Sequence, residues 1–284
     1  MQEPIPDQLP VMEGLATVPG ARLWYWDTGG DGESLVLCHP ASQSSQIWLY
    51  QQPAFAEAGY RVIAYSRRGH YKSDRGSQED HGSLVGDLAA LLDFLGLEKA
   101  HVLGAAAGGI TAMGFAVAHP ARVISLVLAG TIVAPEEEEW RTLYNRLGLA
   151  SVRQSVSTEF LELGPSYRAL NPEGVARFVE LEHASKPNGV VRQPVGVTVD
   201  WAAMNRLRAP VLLLTGEADL YAPPPLQRMI AAHLPKHEMS TLREVGHAPY
   251  WEAPAEFNRL VLDFLRRNRD DVGGSRREQP HARG

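Results

Sequence analysis

The chain alternates between short apolar runs and longer helix-like runs. Six apolar runs resemble strands, and the last four of them are rich in Val, Ile and Leu, as expected of strands that are buried on both faces of a sheet. The six runs cover residues 22–29, 34–40, 61–66, 100–105, 123–130 and 210–216. Helix candidates follow at residues 48–58, 83–95, 107–118, 224–234 and 254–268. This alternation predicts an α/β fold, a mostly parallel twisted sheet flanked by helices.

One long interval breaks the alternation, because residues 131–209 contain no convincing buried strand. Its segments resemble polar-faced helices, and Pro135 followed by four glutamates is typical of a helix start. We therefore expect a helical cap at residues 132–204, inserted into a core made of residues 20–131 and 205–268. The remaining parts are an N-terminal extension (residues 1–19) and a polar, glycine-broken tail (residues 269–284), which is expected to be disordered.

Composition excludes several functional classes. The net charge is −6 over 284 residues with an isoelectric point near 5.9, which argues against a nucleic-acid partner because binding phosphates needs a basic face. No apolar run approaches the 18 residues of a membrane span. The single cysteine, Cys38, favours a reducing, cytoplasmic setting. Since metal-ligand spacings and phosphate-binding loops are also absent, no cofactor is expected.

The most informative segment is Gly104-Ala105-Ala106-Ala107-Gly108, within "AHVLGAAAGGITAMGF". A strand-like run turns through small residues into a helix-like run, which is the shape of a nucleophile elbow, G-x-S-x-G. The position that would present the reactive side chain holds Ala106, whose methyl group can neither attack a carbonyl nor release a proton.

Further segments carry a family resemblance over roughly residues 20–268. "LVLCHPASQSSQIW", "YSRRGHYKSD", "LLLTGEADLYAPP" and "LREVGHAPYWEAPAEFNRLVLDFL" resemble, in this order, the signature segments of the α/β-hydrolase superfamily. The elbow is most similar to those of meta-cleavage-product C–C hydrolases and enol-lactonases. Three positions depart from the family pattern: Pro40 replaces a glycine, Ser66 an aspartate and Tyr71 a glycine.

The resemblance implies roles for the matching residues. His247 would be the acid/base and Asp219 the carboxylate that orients its imidazole. The backbone N–H groups of Ala107 and Ala41 would form an oxyanion hole beside Ala106. Small carbonyl compounds, some of them carboxylated, are the substrates that this family suggests.

Substrate contacts are expected from two regions, the turn that follows the strand at 34–40 and the mouth of the site. An arginine in the cap would bind a carboxylate in bidentate fashion. The candidates are His39, Ser42, Arg68, Arg168, Trp48 and Trp251. The sequence does not decide the oligomeric state, for which a homodimer is one alternative.

Ala106 leaves three hypotheses open. The chain is a serine-to-alanine variant of an ordinary ester, lactone or C–C hydrolase; or it is an enzyme that uses His247 and Asp219 without a covalent intermediate; or it is a non-catalytic binder of small molecules. The second is favoured because several signature positions diverge together. It predicts acid–base chemistry on a small carbonyl-containing acid, ester or lactone, as in isomerisation, tautomerisation, elimination or hydrolysis by an activated water.

Overall fold

The computed structural model describes residues 3–77, 79, 81–133, 137–147, 156–187, 189 and 191–269. Two expectations lie outside these ranges, namely the helix start at Pro135 and disorder in the tail after residue 269.

Eight strands form one sheet in the order β1-β2-β4-β3-β5-β6-β7-β8. The strands are β1 (Met12–Val18), β2 (Ala21–Asp27), β3 (Ser34–Cys38), β4 (Arg61–Tyr65), β5 (Ala100–Ala105), β6 (Val123–Ala129), β7 (Val211–Gly216) and β8 (His237–Leu242). β1 pairs with β2 and β2 with β4 in antiparallel fashion, whereas the other neighbouring pairs are parallel. The predicted mostly parallel α/β architecture is confirmed.

The two edge strands are the elements that the apolar pattern did not predict. β1 occupies residues 12–18, which the sequence assigned to an N-terminal extension, and it pairs with β2 along its whole length. β8 has the sequence "HEMSTL", in which Leu242 alone is buried. Strands at a sheet edge are partly solvated, so they lack the continuous apolar run by which central strands are identified.

Helices cover both faces of the sheet. They are α1 (Gln51–Glu57), α2 (Leu84–Phe94), α3 (Ala107–Ala118), α4 (Glu138–Arg146), α5 (Thr158–Glu162), α6 (Pro165–Leu170), α7 (Pro172–Ser185), α8 (Trp201–Met204), α9 (Pro224–Ala231), α10 (Pro249–Glu252) and α11 (Pro254–Arg267). Side chains alternate between faces along β3: Val36 joins one apolar core layer, while Leu35 and Leu37 join the other. All three are fully buried.

Helices α4–α8 lie between β6 and β7, and the described residues of this interval contain no strand. They form the region that the sequence assigned to a cap. The end of α5 is tied to the core, because the backbone N–H groups of His247 and Ala248 donate to the carbonyl oxygen of Glu162 at 2.8 and 3.1 Å. Through this contact, cap side chains reach the carboxyl edge of the sheet.

Candidate active site

Ala106 occupies a tight turn between β5 and α3. Its backbone has φ 49° and ψ −115°, in a region that residues with a side chain rarely adopt and that costs on the order of 1–3 kcal/mol. The turn is fixed by two hydrogen bonds: Ala106 N–H donates to Ala129 O at 2.8 Å, and Gly109 N–H donates to Ala106 O at 3.0 Å. The strained elbow is therefore kept although its side chain is a methyl group.

The glycines around the elbow are required by close packing of strand and helix. A Cβ at Gly108 would overlap the backbone of Cys38 at the end of β3, and one at Gly109 would overlap the Thr131 side chain. A Cβ at Gly104 would meet the backbone of α3 itself. Only residues without a side chain allow this approach, as the elbow pattern predicts.

His247 and Asp219 form a buried pair next to the elbow. Asp219 follows β7, and its Oδ1 also accepts the backbone N–H groups of Tyr221 and Ala222 at 2.7 and 2.8 Å. His247 Nδ1 lies 2.9 Å from Asp219 Oδ1 and 3.0 Å from Oδ2. This arrangement fixes the tautomer with the proton on Nδ1 and makes Nε2 the ring nitrogen for proton transfer.

One cavity of about 510 Å³ joins these groups. Core residues on its wall are Ala41, Ser42, Ala106, Ala107, Ile110, Gly130, Ile132, Tyr221 and His247. Cap residues on its wall are Trp140, Tyr144, Thr158, Glu162, Glu182 and Lys186. We name Ala41, Ala106, Ala107 and His247 on this wall, together with Asp219 bonded to His247, the catalytic corner, after the roles that the sequence predicts. The six cap residues form the cap wall.

The two residues predicted to supply oxyanion donors both border the cavity beside Ala106. Ala107 is the first residue of α3, so its N–H has no acceptor within the helix and lies at the positive end of the helix dipole. A developing negative charge on a substrate oxygen would be stabilised there.

Ser42 is the one predicted substrate-binding residue that the structure brings to the cavity. His39 is fully buried, and both ring nitrogens are used by the backbone: Nδ1 donates to Pro40 O at 2.7 Å, and Nε2 accepts the Arg67 N–H at 3.0 Å. Burial holds the pKa of His39 well below its ordinary value. His39 thus orders the oxyanion turn from behind and does not face the cavity.

The predicted arginines lie elsewhere. Arg68 is buried in an ion pair with Asp87, with Nη2 2.7 Å from Oδ1. Arg168 donates to the carbonyl oxygens of Phe160 and Leu163 and covers the Phe160 ring at 4.3 Å. Its guanidinium satisfies carbonyls at the end of α5, which have no partner within that helix.

The predicted tryptophans serve packing. Trp48 is 1% exposed and packs on Tyr250, with ring centroids 5.1 Å apart. Trp251 donates its indole N–H to Gly174 O at 3.3 Å and borders a separate cavity of about 290 Å³. Neither ring lies on the wall of the cavity that contains Ala106.

Sequence reasoning missed the charged groups of the cap wall. Glu162 is 5% exposed, and its Oε2 accepts the Ser42 hydroxyl at 2.8 Å. The available signal was a glutamate between Leu161 and Leu163, which are both buried. An ionisable side chain in such an apolar setting is rarely buried without a partner, so Glu162 could have been named as a candidate. Lys186 gave no comparable signal.

The fold and site define a class of protein, and comparison with known families agrees. The family described as alpha/beta hydrolase fold matches residues 33–254, and the chain belongs to this family. It is an enzyme of the α/β-hydrolase kind.

Relatives narrow the class further. The chain is 31% identical to a 2-hydroxy-6-oxononadienedioate/2-hydroxy-6-oxononatrienedioate hydrolase of Paraburkholderia phymatum, over 86% of this chain and 91% of that protein. It is 27% identical to a 2-hydroxy-6-oxo-6-phenylhexa-2,4-dienoate hydrolase of Comamonas testosteroni, over 86% and 91%. The enol-lactonase structure from Burkholderia xenovorans matches with a TM-score of 0.74 at 23% identity, over 89% of this chain and 100% of that one, and supports the fold.

Metal-binding clusters and membrane-spanning helices are both absent from the described residues. No group of three or more His, Cys, Asp or Glu side chains there could hold a metal ion. Within the same residues, no helix is both long and apolar enough to cross a membrane.

Proposed function

We propose that the protein is an acid–base enzyme that acts on a small carbonyl-containing acid, ester or lactone without a covalent intermediate. The observation that carries the proposal is the His247–Asp219 pair, with Nδ1 2.9 Å from the carboxylate, beside an elbow that ends in Ala106. The catalytic corner offers no nucleophile at residue 106. Proton transfer and oxyanion stabilisation need no nucleophile.

The chemistry follows from the geometry. His247 Nε2 takes a proton from the substrate or from a water, and Asp219 stabilises the imidazolium that forms. The charge that develops on the substrate oxygen is held by the N–H groups of Ala41 and Ala107. When the proton comes from the substrate, the result is isomerisation, tautomerisation or elimination; when it comes from water, the result is hydrolysis.

The substrate class comes from the relatives. Their names specify 2-hydroxy-6-oxo acids, which carry conjugated dienol, ketone and carboxylate groups, and the cavity of about 510 Å³ accommodates molecules of that size. Lys186 on the cap wall supplies a positive charge for a substrate carboxylate. We propose that this protein acts on substrates of this kind, in the breakdown of aromatic compounds.

The first experiment uses 2-hydroxy-6-oxo-6-phenylhexa-2,4-dienoate as the probe and follows loss of its dienol absorption, with products assigned by NMR. The unchanged chain is expected to convert the probe, and His247→Ala to lose conversion at least about 100-fold. Probe binding, measured by quenching of tryptophan fluorescence, is expected to persist. Undiminished conversion in His247→Ala would contradict the acid–base mechanism.

A second variant separates the remaining hypotheses. Ala106→Ser restores a nucleophile between the His–Asp pair and the oxyanion donors, and is expected to create hydrolysis of 4-nitrophenyl acetate. If only Ala106→Ser converts the dienol probe, the chain is a serine hydrolase that has lost its nucleophile. If both forms bind the probe and neither converts it, the protein is a binder.

A further inference from the structure

Glu162 is an ionisable group in the cavity that the proposed mechanism does not yet use. It is the last residue of α5, lies on the cap wall and is 5% exposed. Its position is fixed from both sides, because Ser42 Oγ donates to its Oε2 at 2.8 Å and its backbone carbonyl accepts the His247 N–H at 2.8 Å. A carboxyl group is therefore held between the oxyanion turn and the catalytic histidine.

Among the described residues, only one oxygen of this carboxyl group has a hydrogen-bond partner. Oε2 accepts the Ser42 hydroxyl, whereas Oε1 accepts no hydrogen bond from any residue that the structure describes. Glu162 lines the same cavity as His247 and Ala106. A proton on Oε1 would thus be available to a molecule bound in the cavity.

The surroundings shift the pKa of this carboxyl group upward. Burial is the largest influence and raises the pKa of Glu162 above its ordinary value, and the negative charge of Glu182 acts in the same direction. His247, the Ser42 hydroxyl and Lys186 oppose these effects. Tyr250, a further titratable neighbour, stays neutral because burial raises its pKa well above the usual range.

We propose that Glu162 is the second acid–base residue of this site and delivers a proton to a carbon of the substrate while His247 removes one from oxygen. The inference rests on the proposed function, since it assigns a second partner to the same reaction. Two ionisable groups on the wall of one cavity allow a proton to leave one end of a conjugated system and another to arrive at the other end.

The step balances for the dienol probe. His247 Nε2 takes the proton of the hydroxyl on C2, and the resulting oxyanion is held by Ala41 and Ala107. As C2–O becomes a carbonyl, the double bonds C2=C3 and C4=C5 become C3=C4, and C5 takes the proton of Glu162. One O–H bond breaks and one C–H bond forms. Solvent then returns a proton from the imidazolium to the carboxylate, so no oxidant or reductant is needed.

The test compares Glu162→Gln with a control, Glu180→Gln, which removes an exposed carboxylate of α7 that does not line the cavity. In D₂O, the unchanged chain is expected to place deuterium at C5 of the probe. Glu162→Gln is expected to lower the rate of incorporation about 100-fold and to remove the basic limb of the pH–rate profile. Glu180→Gln is expected to keep the rate within about threefold and to retain that limb.

The outcomes separate this inference from the proposed function. Loss of deuterium incorporation in His247→Ala together with full incorporation in Glu162→Gln would overturn the role of Glu162 alone. Full incorporation in His247→Ala would overturn both.

Folding of the Glu162→Gln variant is expected, because the amide keeps a carbonyl oxygen that accepts the Ser42 hydroxyl. Probe binding within about threefold of the unchanged chain checks this. Glu162→Asp, which restores an ionisable group, is expected to recover part of the rate, and no recovery would count against proton delivery.

Discussion

The catalytic corner and the cap wall face each other across one cavity, yet they are built in different ways. The corner is made from backbone turns at the ends of β3, β5 and β7 and from the loop that follows β8. Its parts are fixed by backbone hydrogen bonds and by glycines that tolerate no side chain. The cap wall is made from side chains on helices that differ in length, such as α5 and α7.

This difference separates two kinds of function. Acid–base chemistry needs atoms held to within a fraction of an ångström, which rigid strand ends provide. Recognition of one substrate needs a surface whose charge and shape can change without disturbing the chemistry. The corner therefore has its strained turn even at Ala106, whereas the cap wall carries Glu162, Glu182 and Lys186.

The largest expected effect is on the corner. In Asp219→Asn, the amide no longer fixes the proton on Nδ1 of His247 nor stabilises the imidazolium, so kcat for the dienol probe should fall about 10³–10⁴-fold. Glu217→Gln in the same loop is the control, because Glu217 is exposed and its rate should be unchanged. A loss below tenfold in Asp219→Asn would show that the pair does not carry the chemistry.

The next prediction concerns a carboxyl group that joins the two regions. Glu252 accepts the N–H of Gly164 in the cap at 2.8 Å and that of Gly246 beside His247 at 2.9 Å. Burial, the largest cause, raises its pKa to about 7. Between the ordinary glutamate pKa near 4.3 and about 7, the folded state holds a proton that the unfolded state has released. The free energy of unfolding should therefore fall as pH rises through this window, by about 1–3 kcal/mol.

Urea unfolding at pH values from 5 to 8 measures this slope. Glu252→Gln, which is neutral throughout, should unfold with a flatter pH dependence than the unchanged chain. Glu256→Gln on α11, an exposed neighbour, should keep the original slope. An identical slope in all three proteins would mean that Glu252 does not hold a proton in the folded state.

The same contrast explains how much the sequence could reveal. The elbow was identifiable because it directly follows a buried strand, and Asp219 and His247 were identifiable because their segments resemble signature segments of the α/β-hydrolase superfamily. Arg168 and Lys186 could not be ranked in this way, since their placement depends on how cap helices pack. Arg168 turned to the carbonyl groups that end α5, whereas Lys186, just after α7, reached the cavity.

The cap wall can be tested through Lys186. Lys186→Met keeps much of the aliphatic side chain and removes the charge, so KM for the carboxylated probe should rise about tenfold, which corresponds to about 1.4 kcal/mol. The kcat value should stay within twofold, and the methyl ester of the probe should show no such change in KM. Lys236→Met, at an exposed position, is the control. A fall in kcat with constant KM would place Lys186 in the chemical step.

The smallest expected effect returns to the elbow. Ala106 has φ 49°, and glycine adopts such a conformation without steric cost, although it also gives the unfolded chain more freedom. Ala106→Gly should therefore change the free energy of unfolding by no more than about 1 kcal/mol, in the stabilising direction. The adjacent Ala105, which is fully buried in β5, is the matched control, because Ala105→Gly removes a buried methyl group and should destabilise by about 1 kcal/mol.

Turnover of the probe by Ala106→Gly should stay within a few fold, since the proposed chemistry uses the backbone at this turn and not the methyl group. A large loss of turnover with unchanged stability would instead mean that the methyl group itself positions the substrate.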